Sequence, residues 1–589
     1  MVLSGLEGHV LDVFWGIETI PRIAELDIKD QYIFTVSTEE DILHSLLEEN
    51  DLAIVGGAWM GDEGKGKTVA ALAKHPDIGF VARVNSGENA GHTVYGEDRR
   101  KYVFHLAPSA MLIPEKENFI GPNCVMDPIS FMQTEMQQLI DGGIEYKNNL
   151  TVGNVHIVTP YHKLLDFLGR PNSSTLKGMS QVHTSKTMKR GPRLDDLFGP
   201  EDLLRDILKE DMFTHMTMIE KKMRERDLNW KTLRETAETQ GLPEHIIGFI
   251  EAARGDTEID YMIKLYQDQV VSNSLFPIRG NVTSTMQQMI AKGRKGLLEG
   301  PQSFFLSNAV EVNWSMGTSA DTTIAGVLAT SGLNPSLNVL GVNVHKTPPS
   351  KIGIGFNPSA YVKQNFFSAQ GINSMAGLEG VCENYHIIQN LYMRSIHNNG
   401  IVEPIMYTDP RTDQSFAIGA AMAISSVKHF EERGATTGKP RICGLLDLVA
   451  LHSVMMAQGP YLTISRLDGL DNDEQVGLVV GYVYYDPTST KPINSNGKLY
   501  DNGYIVHVGD ALPGASVLDH CYPIVKVRDG WKGDPIAANK NLDGVTELPS
   551  NLQGFLSDIQ HFTGAEIISI GNGKNTGDLI YLKSEPINN

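Results

Sequence analysis

The chain has 589 residues, a formal net charge of −20 at pH 7 and a pI near 5.4. That acidity excludes a broad electrostatic grip on nucleic acid or an anionic membrane, so an anionic ligand must be held by a local cluster of cations. The four cysteines, Cys124, Cys382, Cys443 and Cys521, are scattered and form no C-x-x-C pair, which speaks against a disulfide framework or a cysteine-rich zinc site and predicts a reduced, cytoplasmic setting.

The opening stretch MVLSGLEGHVLDVFWGIETI lacks a basic start and an unbroken apolar run, so it does not read as a secretory signal. No window is long and apolar enough to span a membrane. Residues 31–36 (QYIFTV) predict a strand, and Ser37-Thr-Glu-Glu40 predicts a capping box for a helix through about Glu49. Residues 1–50 thus read as an N-terminal appendage to a body over 51–589. LAIVGG, a glycine-rich turn and a lysine-bearing segment follow in the order strand, loop, helix. Residues 199–270 show charge-laced helical spacing and predict an amphipathic helical subregion. KGLLEGPQ (296–302), SLNVLGVNV (336–344), ICGLLDLVALHSVM (442–455), YLTISRLDG (461–469) and AEIISIGNG (565–573) predict apolar strands ending in glycine or polar residues. Interleaved with helical stretches, they predict an α/β fold: a largely parallel central sheet with surrounding helices and ligands at the strand ends. Residues 477–510 predict an antiparallel subregion.

The chemistry concentrates at Gly61–Thr68, GDEGKGKT, which satisfies the phosphate-loop pattern G-x-x-x-x-G-K-[ST] behind a strand. Backbone N–H groups at a helix start attract phosphate oxygens, and Lys65 and Lys67 can neutralise charge on a transferring phosphoryl group. Asp62 and Glu63 are out of place in such a cradle. An aspartate there makes sense as a Mg²⁺ ligand, a general base, or both. A second cluster, VARVNSGENAGHTVY (81–95), flanks His92 with small residues, as expected where backbone approaches a ligand.

Together these blocks resemble the adenylosuccinate synthetase family. The likeness runs through GDEGKGK (61–67), NAGHT (89–93), YVFHLAPSAML (102–112), IGPNCVMDP (120–128), EGPQ (299–302), TSADTTIAG (318–326), GATTGKPRICGLLD (434–447), RLDGLD (466–471) and FTGAEIISIGNG (562–573). The first 50 residues, much of 200–270 and an expanded segment at 358–430 fall outside the pattern. The resemblance implies a GTP-dependent ligase that joins L-aspartate to C6 of IMP through a 6-phosphoryl intermediate, with Mg²⁺ and as a homodimer. Asp62 would be the base at N1 of the purine, Lys65, His92 and Gln302 its catalytic companions, and Asp62 with the Gly91 carbonyl the metal ligands. Asn89, Thr175, Lys189, Gln302, Thr318 and Lys439 would meet the purine monophosphate, Lys189 reaching across a dimer interface. Thr436, Thr437, Lys439 and Arg441 would grip aspartate. GTP would lie against Gly61, Glu63, Gly64, Lys65, Gly66, Lys67, Gly91, Thr93 and Arg441, with Arg466, Asp468, Ser569 and Gly571 at its base. Asp468 would accept from guanine N1 and N2, a donor pair adenine lacks.

The chain also departs from the pattern. Ala58-Trp59-Met60 precedes the loop where the family has a small residue, glutamine and tryptophan, and Pro301 stiffens the approach to Gln302. Lysines at 189 and 439 replace arginines and lose the bidentate fork. A related phage enzyme acting on dGMP typically lacks the loop aspartate, so Asp62 favours IMP, while another purine monophosphate stays open. An ordinary GTP hydrolase and a silent purine-binding protein are the readings from other classes.

Overall fold

The computed structural model describes residues 31–587 apart from 97, 170–174, 352–354, 364–365, 373, 397–399, 403–404, 434–437, 490, 535 and 537–547. The described chain opens with strand β1 (Tyr32–Ser37) and helix α1 (Glu39–Glu48). The helix is capped one residue later than the sequence suggests, because Thr38 rather than Ser37 accepts the Asp41 N–H, at 3.1 Å. Strand β2 (Leu52–Gly57), buried along its whole length, leads through the phosphate loop into α2 (Lys65–Leu72). There follow β3 (Ile78–Arg83), β4 (His92–Tyr95), β5 (Glu117–Ile120) and β6 (Leu150–Val152). Helices α3 (Pro160–Phe167), α4 (Glu201–Glu225) and α5 (Glu244–Arg254) come next. Strands β7 (Ile278–Arg279), β8 (Lys295–Glu299) and β9 (Val339–Lys346) precede α6 (Leu448–Gln458). The chain then forms β10 (Tyr461–Ser465), β11 (Glu566–Gly571) and β12 (Leu579–Pro586).

Eleven of these strands make one sheet in the order β1-β12-β11-β10-β9-β2-β8-β3-β5-β6-β7. From β11 to β7 every neighbouring pair is parallel, as the apolar strand runs predict. The turn back through β12 makes the far edge antiparallel. The register pairs Tyr32 to Ser37 with Pro586 to Tyr581, so β1 completes the sheet. The 477–510 region is also antiparallel in part: Gln475–Tyr484 pairs with Ile505–His507 and Cys521–Asp529. ICGLLDLVALHSVM differs from expectation. Only Ile442–Cys443 and Leu446–Asp447 are extended. Asp447 then accepts from Ala450 N and starts α6. A helix packed on most sides shows no polar face, which hides its period in the sequence.

The helical subregion shares an apolar core with the body, where Leu204, Leu208 and Phe249 cluster with Phe104, Ile120 and Leu150, and buried charge pairs cross the same junction. His245 on α5 places Nε2 2.9 Å from the Asp127 carboxylate, which also takes the Lys163 ammonium from α3. Asp127 N–H in turn donates to Glu88 at 2.8 Å. Nearby, Tyr161 donates to Asp211 on α4 at 2.7 Å, and His162 Nε2 lies 3.3 Å from the same carboxylate. All four cysteines are buried and free. No helix among the described residues is long and apolar enough to cross a membrane.

Burial lowers the pKa of His162 to about 4, against the pull of Asp211, and burial takes His345 to about 4 against Glu63. An unfolded histidine takes up its proton near 6.5, so between these values the unfolded chain binds more protons. The stabilisation from each neutral ring, up to about 3 kcal/mol, is complete above pH 6.5 and is lost as pH falls toward 4. The melting temperature should therefore fall steadily over that window; a flat profile would contradict the burial of neutral rings.

Candidate active site

The loops at the carboxyl ends of β11, β10, β9, β2, β8 and β3 stand side by side, and most of the candidate residues sit there. The phosphate loop contains three left-handed residues, Gly61 (φ 101°), Asp62 (φ 61°) and Gly64 (φ 93°). This conformation turns its two carboxylates in opposite directions. Glu63 folds beneath the loop, fully buried, and accepts from Gly61 N at 2.9 Å, Trp59 N at 3.2 Å, Lys65 Nζ at 3.0 Å and the Ser303 hydroxyl. Burial opposes its ionisation, but Lys65, Ser303 and Gly61 hold the carboxyl below its ordinary value. Glu63 is thus an internal counter-ion that fixes Lys65 within the anion cradle. Asp62 points outward instead and pairs with the Arg441 guanidinium.

Trp59 lies in the core rather than at an opening, edge-on to Phe305 at 5.9 Å and 81°. Beside the loop, a Cβ on Gly66 would lie 3.0 Å from the His92 Cβ, so the imidazole packs directly on the start of α2. His92 Nδ1 faces Glu299 and Nε2 faces the Pro301 carbonyl at 3.0 Å. Burial would raise the Glu299 carboxyl, yet His92, Arg83 and Ser109 bring it to about 2. The segment that follows β8 is therefore a common wall: Glu299 and Pro301 touch His92, and Ser303 touches the phosphate loop.

Gln302, Asn89 and Thr318 are brought together through a residue the sequence did not single out. The Ser86 hydroxyl lies 3.1 Å from the amide oxygens of both Asn89 and Gln302. Asn89 Nδ2 donates to Thr318 Oγ1 at 3.0 Å. Gln302 Nε2 is buried without a hydrogen-bond partner among the described residues, which leaves a donor free for a ligand.

On the other side, Lys67 Nζ donates to the carbonyls of Gly573 at 2.9 Å and Asp578 at 2.5 Å, tying α2 to the turn after β11. Burial raises the Asp468 carboxyl above its ordinary value, with Lys67 opposing. Ser569 shares a hydrogen bond with Thr463 at 2.9 Å. A Cβ on Gly571 would come within 3.0 Å of Arg466 N, so the Arg466–Asp468 turn and the end of β11 form one surface. Arg466 donates to the Phe430 carbonyl at 2.7 Å and to Glu432. Glu432 is a second residue the sequence did not mark. Its buried carboxylate also receives Lys346 at 3.0 and 2.9 Å, Ser350 at 2.7 Å and Arg441 at 3.3 Å. Burial opposes its charge, but Lys346, Arg466 and Arg441 bring it to about 2.

Several other candidates are exposed. Thr175, Lys189 and Lys439 are exposed, and Lys189 has left-handed backbone at φ 58°. Thr93 is exposed on β4, and a Cβ on Gly91 would meet nothing within 4 Å, which leaves its backbone approachable. Thr436 and Thr437 lie outside the described residues.

Comparison with known proteins gives one family. The adenylosuccinate synthetase family model matches residues 53–580. Adenylosuccinate synthetase of Trypanosoma brucei brucei is 46% identical over 595 residues, covering 98% of this chain and 97% of its own. That of Leishmania donovani is 46% identical over 97% of this chain and 82% of its own. The solved structure of fully ligated adenylosuccinate synthetase from Plasmodium falciparum shares the fold, with a TM-score of 0.61 at 21% identity over 90% of this chain and 100% of that one.

Gly57 sets the spacing between loop and wall. A Cβ there would lie 2.1 Å from Ser303 Oγ and 2.8 Å from the Gln302 carbonyl. Overpacking of this kind costs about 1–3 kcal/mol. Gly57→Ala should lower the melting temperature and weaken binding of a guanine nucleotide about tenfold, measured by calorimetry; native affinity would show that the loop does not depend on this wall.

Proposed function

Because this chain belongs to the adenylosuccinate synthetase family and so joins L-aspartate to IMP at the expense of GTP, we propose that Asp62 is the base that makes the purine O6 nucleophilic. Asp62 takes the N1 proton, electron density moves to O6, and O6 attacks the γ-phosphorus of GTP as the bond to GDP breaks. The aspartate amine then attacks C6, the C6–O6 bond breaks with phosphate as the leaving group, and the nitrogen releases its extra proton to solvent. Lys65, held by Glu63, meets the charge on the transferring phosphoryl group. His92, held through Nδ1 by Glu299, would turn its Nε2 from the Pro301 carbonyl to the oxygen where charge gathers. The observation that carries this reading is the shared wall of Glu299, Pro301 and Ser303, which brings the imidazole and the phosphate loop to one place.

Gln302, Asn89 and Thr318 suit the purine monophosphate, and Asp468 with Arg466, Ser569 and Gly571 suits guanine. Arg441, beside Asp62, is the guanidinium for an aspartate carboxylate. The carboxylate of Asp62 and the approachable carbonyl of Gly91 are hard oxygen donors that fit Mg²⁺. When bound there the ion would offset phosphate charge. Lys189, exposed beside an exposed Met188, suits a residue offered to a second copy in a homodimer.

Asp62→Asn keeps the shape of the loop and removes the base. Formation of the succinyl-purine product from GTP, IMP and L-aspartate, followed by absorbance, should drop about 10²–10⁴-fold while GTP binding persists. Replacing IMP by dGMP should give no product. An active Asp62→Asn enzyme would remove Asp62 from the chemistry, and turnover of dGMP at the IMP rate would reassign the purine.

A further inference from the structure

Glu432 lies outside the substrate contacts described above, yet it touches two of the residues that would make them. Its backbone carbonyl accepts from Arg441 N at 3.0 Å, and Arg433 bridges Pro440 in the next register position, so Glu432 and Arg441 face each other across an antiparallel pairing. Its carboxylate divides between the two arginines. Oε2 takes Arg441 at 3.3 Å and Ser350 at 2.7 Å, while Oε1 takes the guanidinium of Arg466. Lys346, at the end of β9, bonds to both oxygens and anchors the carboxylate to the sheet. The side chain is 2% exposed, so these contacts are made in a low-dielectric setting where small displacements of charge are costly.

We propose that Glu432 is a positioning residue that couples Arg466 of the guanine-side turn to Arg441, so that occupancy beside Arg466 sets where Arg441 stands for the aspartate carboxylate. The inference rests on the assignment of Arg441 to aspartate and Arg466 to guanine made above. Arg466 is 39% exposed and Arg441 only 9%. A base packed against Arg466 fixes the more exposed guanidinium, and the shared carboxylate passes that restriction to the buried one. Arg441 is at the same time drawn by Asp62 on its other nitrogen, so its position is a balance between two carboxylates, one of them rigid. Coupling of this kind needs a physical link that both sites bias, and the link here is a single carboxyl group.

The test is the KM for L-aspartate at limiting and at saturating GTP, with KM and kcat resolved separately, in the native chain and in Glu432→Gln and Arg441→Gln. In the native enzyme the KM should fall as GTP rises. Glu432→Gln should lose that dependence and raise the KM at saturating GTP about tenfold, with kcat changed far less. A native KM independent of GTP, or a Glu432→Gln enzyme that keeps the dependence, would overturn the coupling. Arg441→Gln separates this from the site assignment: if it leaves the aspartate KM unchanged the assignment of Arg441 fails, whereas a raised KM there with native behaviour in Glu432→Gln removes only the coupling. Should Glu432→Gln not fold, Ser350→Ala takes one bond from Oε2 and leaves both arginines. It should show the same loss of dependence in smaller degree, and native coupling in Ser350→Ala would count against the proposal.

Discussion

Lys65, Lys346, Arg441 and Arg466 in this site each rest on a buried carboxylate, and so does the His92 imidazole. A ligase for a triphosphate, a monophosphate and a dicarboxylic amino acid must gather negative charge in one cleft, and the groups that attract it repel one another. Glu63 beneath Lys65, Glu299 beneath His92 and Glu432 between Lys346, Arg441 and Arg466 resolve that conflict. Such pairs contribute little net stability, because desolvation cancels much of the attraction, but removing one partner leaves an unpaired buried charge at a cost of about 3–5 kcal/mol. Their value is positional. A cation held from behind cannot follow the ligand, so the cleft keeps its shape when charge moves from one phosphate oxygen to another.

That arrangement depends on the order of the strands. β2 lies between β8 and β9, and β3 follows β8, so the phosphate loop is flanked by the Glu299–Ser303 wall on one side and by Lys346 on the other. The sharing of Ser303 between Gly61 N, at 3.1 Å, and Glu63 is possible only because β2 and β8 are adjacent and in parallel register, with Val55 opposite Glu299. A parallel sheet sends all these loops to one edge, where residues distant in the chain become neighbours.

Legibility in the sequence follows the same division. The phosphate loop could be read because its glycines, lysines and threonine are local and set by backbone demands. The apolar strand runs announced a parallel sheet for similar reasons. The role of Glu63 could not be read, since its partner Ser303 lies 240 residues away and its inward turn depends on left-handed backbone on either side. Glu432 stands in FEERG, a charged run that looks like a solvated surface, and only the fold brings Lys346 and Arg466 to it. Ser86 was hidden differently: it sits inside a recognised block, but a serine among small residues carries no signal until two amide oxygens are seen to share its hydroxyl. ICGLLDLVALHSVM misled because burial removed the polar face from which a helix is recognised.

The left-handed conformation of Asp62 shows why the loop carries two acids in succession. A non-glycine residue at positive φ is disfavoured, at about 1 kcal/mol or more, and aspartate is among the side chains that bear it best. Reversal of the backbone at this point is what sends residue 62 out of the loop and residue 63 under it. With right-handed helical backbone the two carboxylates would point only about 100° apart. The same turn gives them opposite electrostatic surroundings: Glu63 is sealed at 0% exposure beside Lys65, and Asp62, at 29% exposure, remains within reach of solvent and substrate. Strain at one residue thus lets adjacent acids take different places, one as a buried counter-ion and the other as the proposed base.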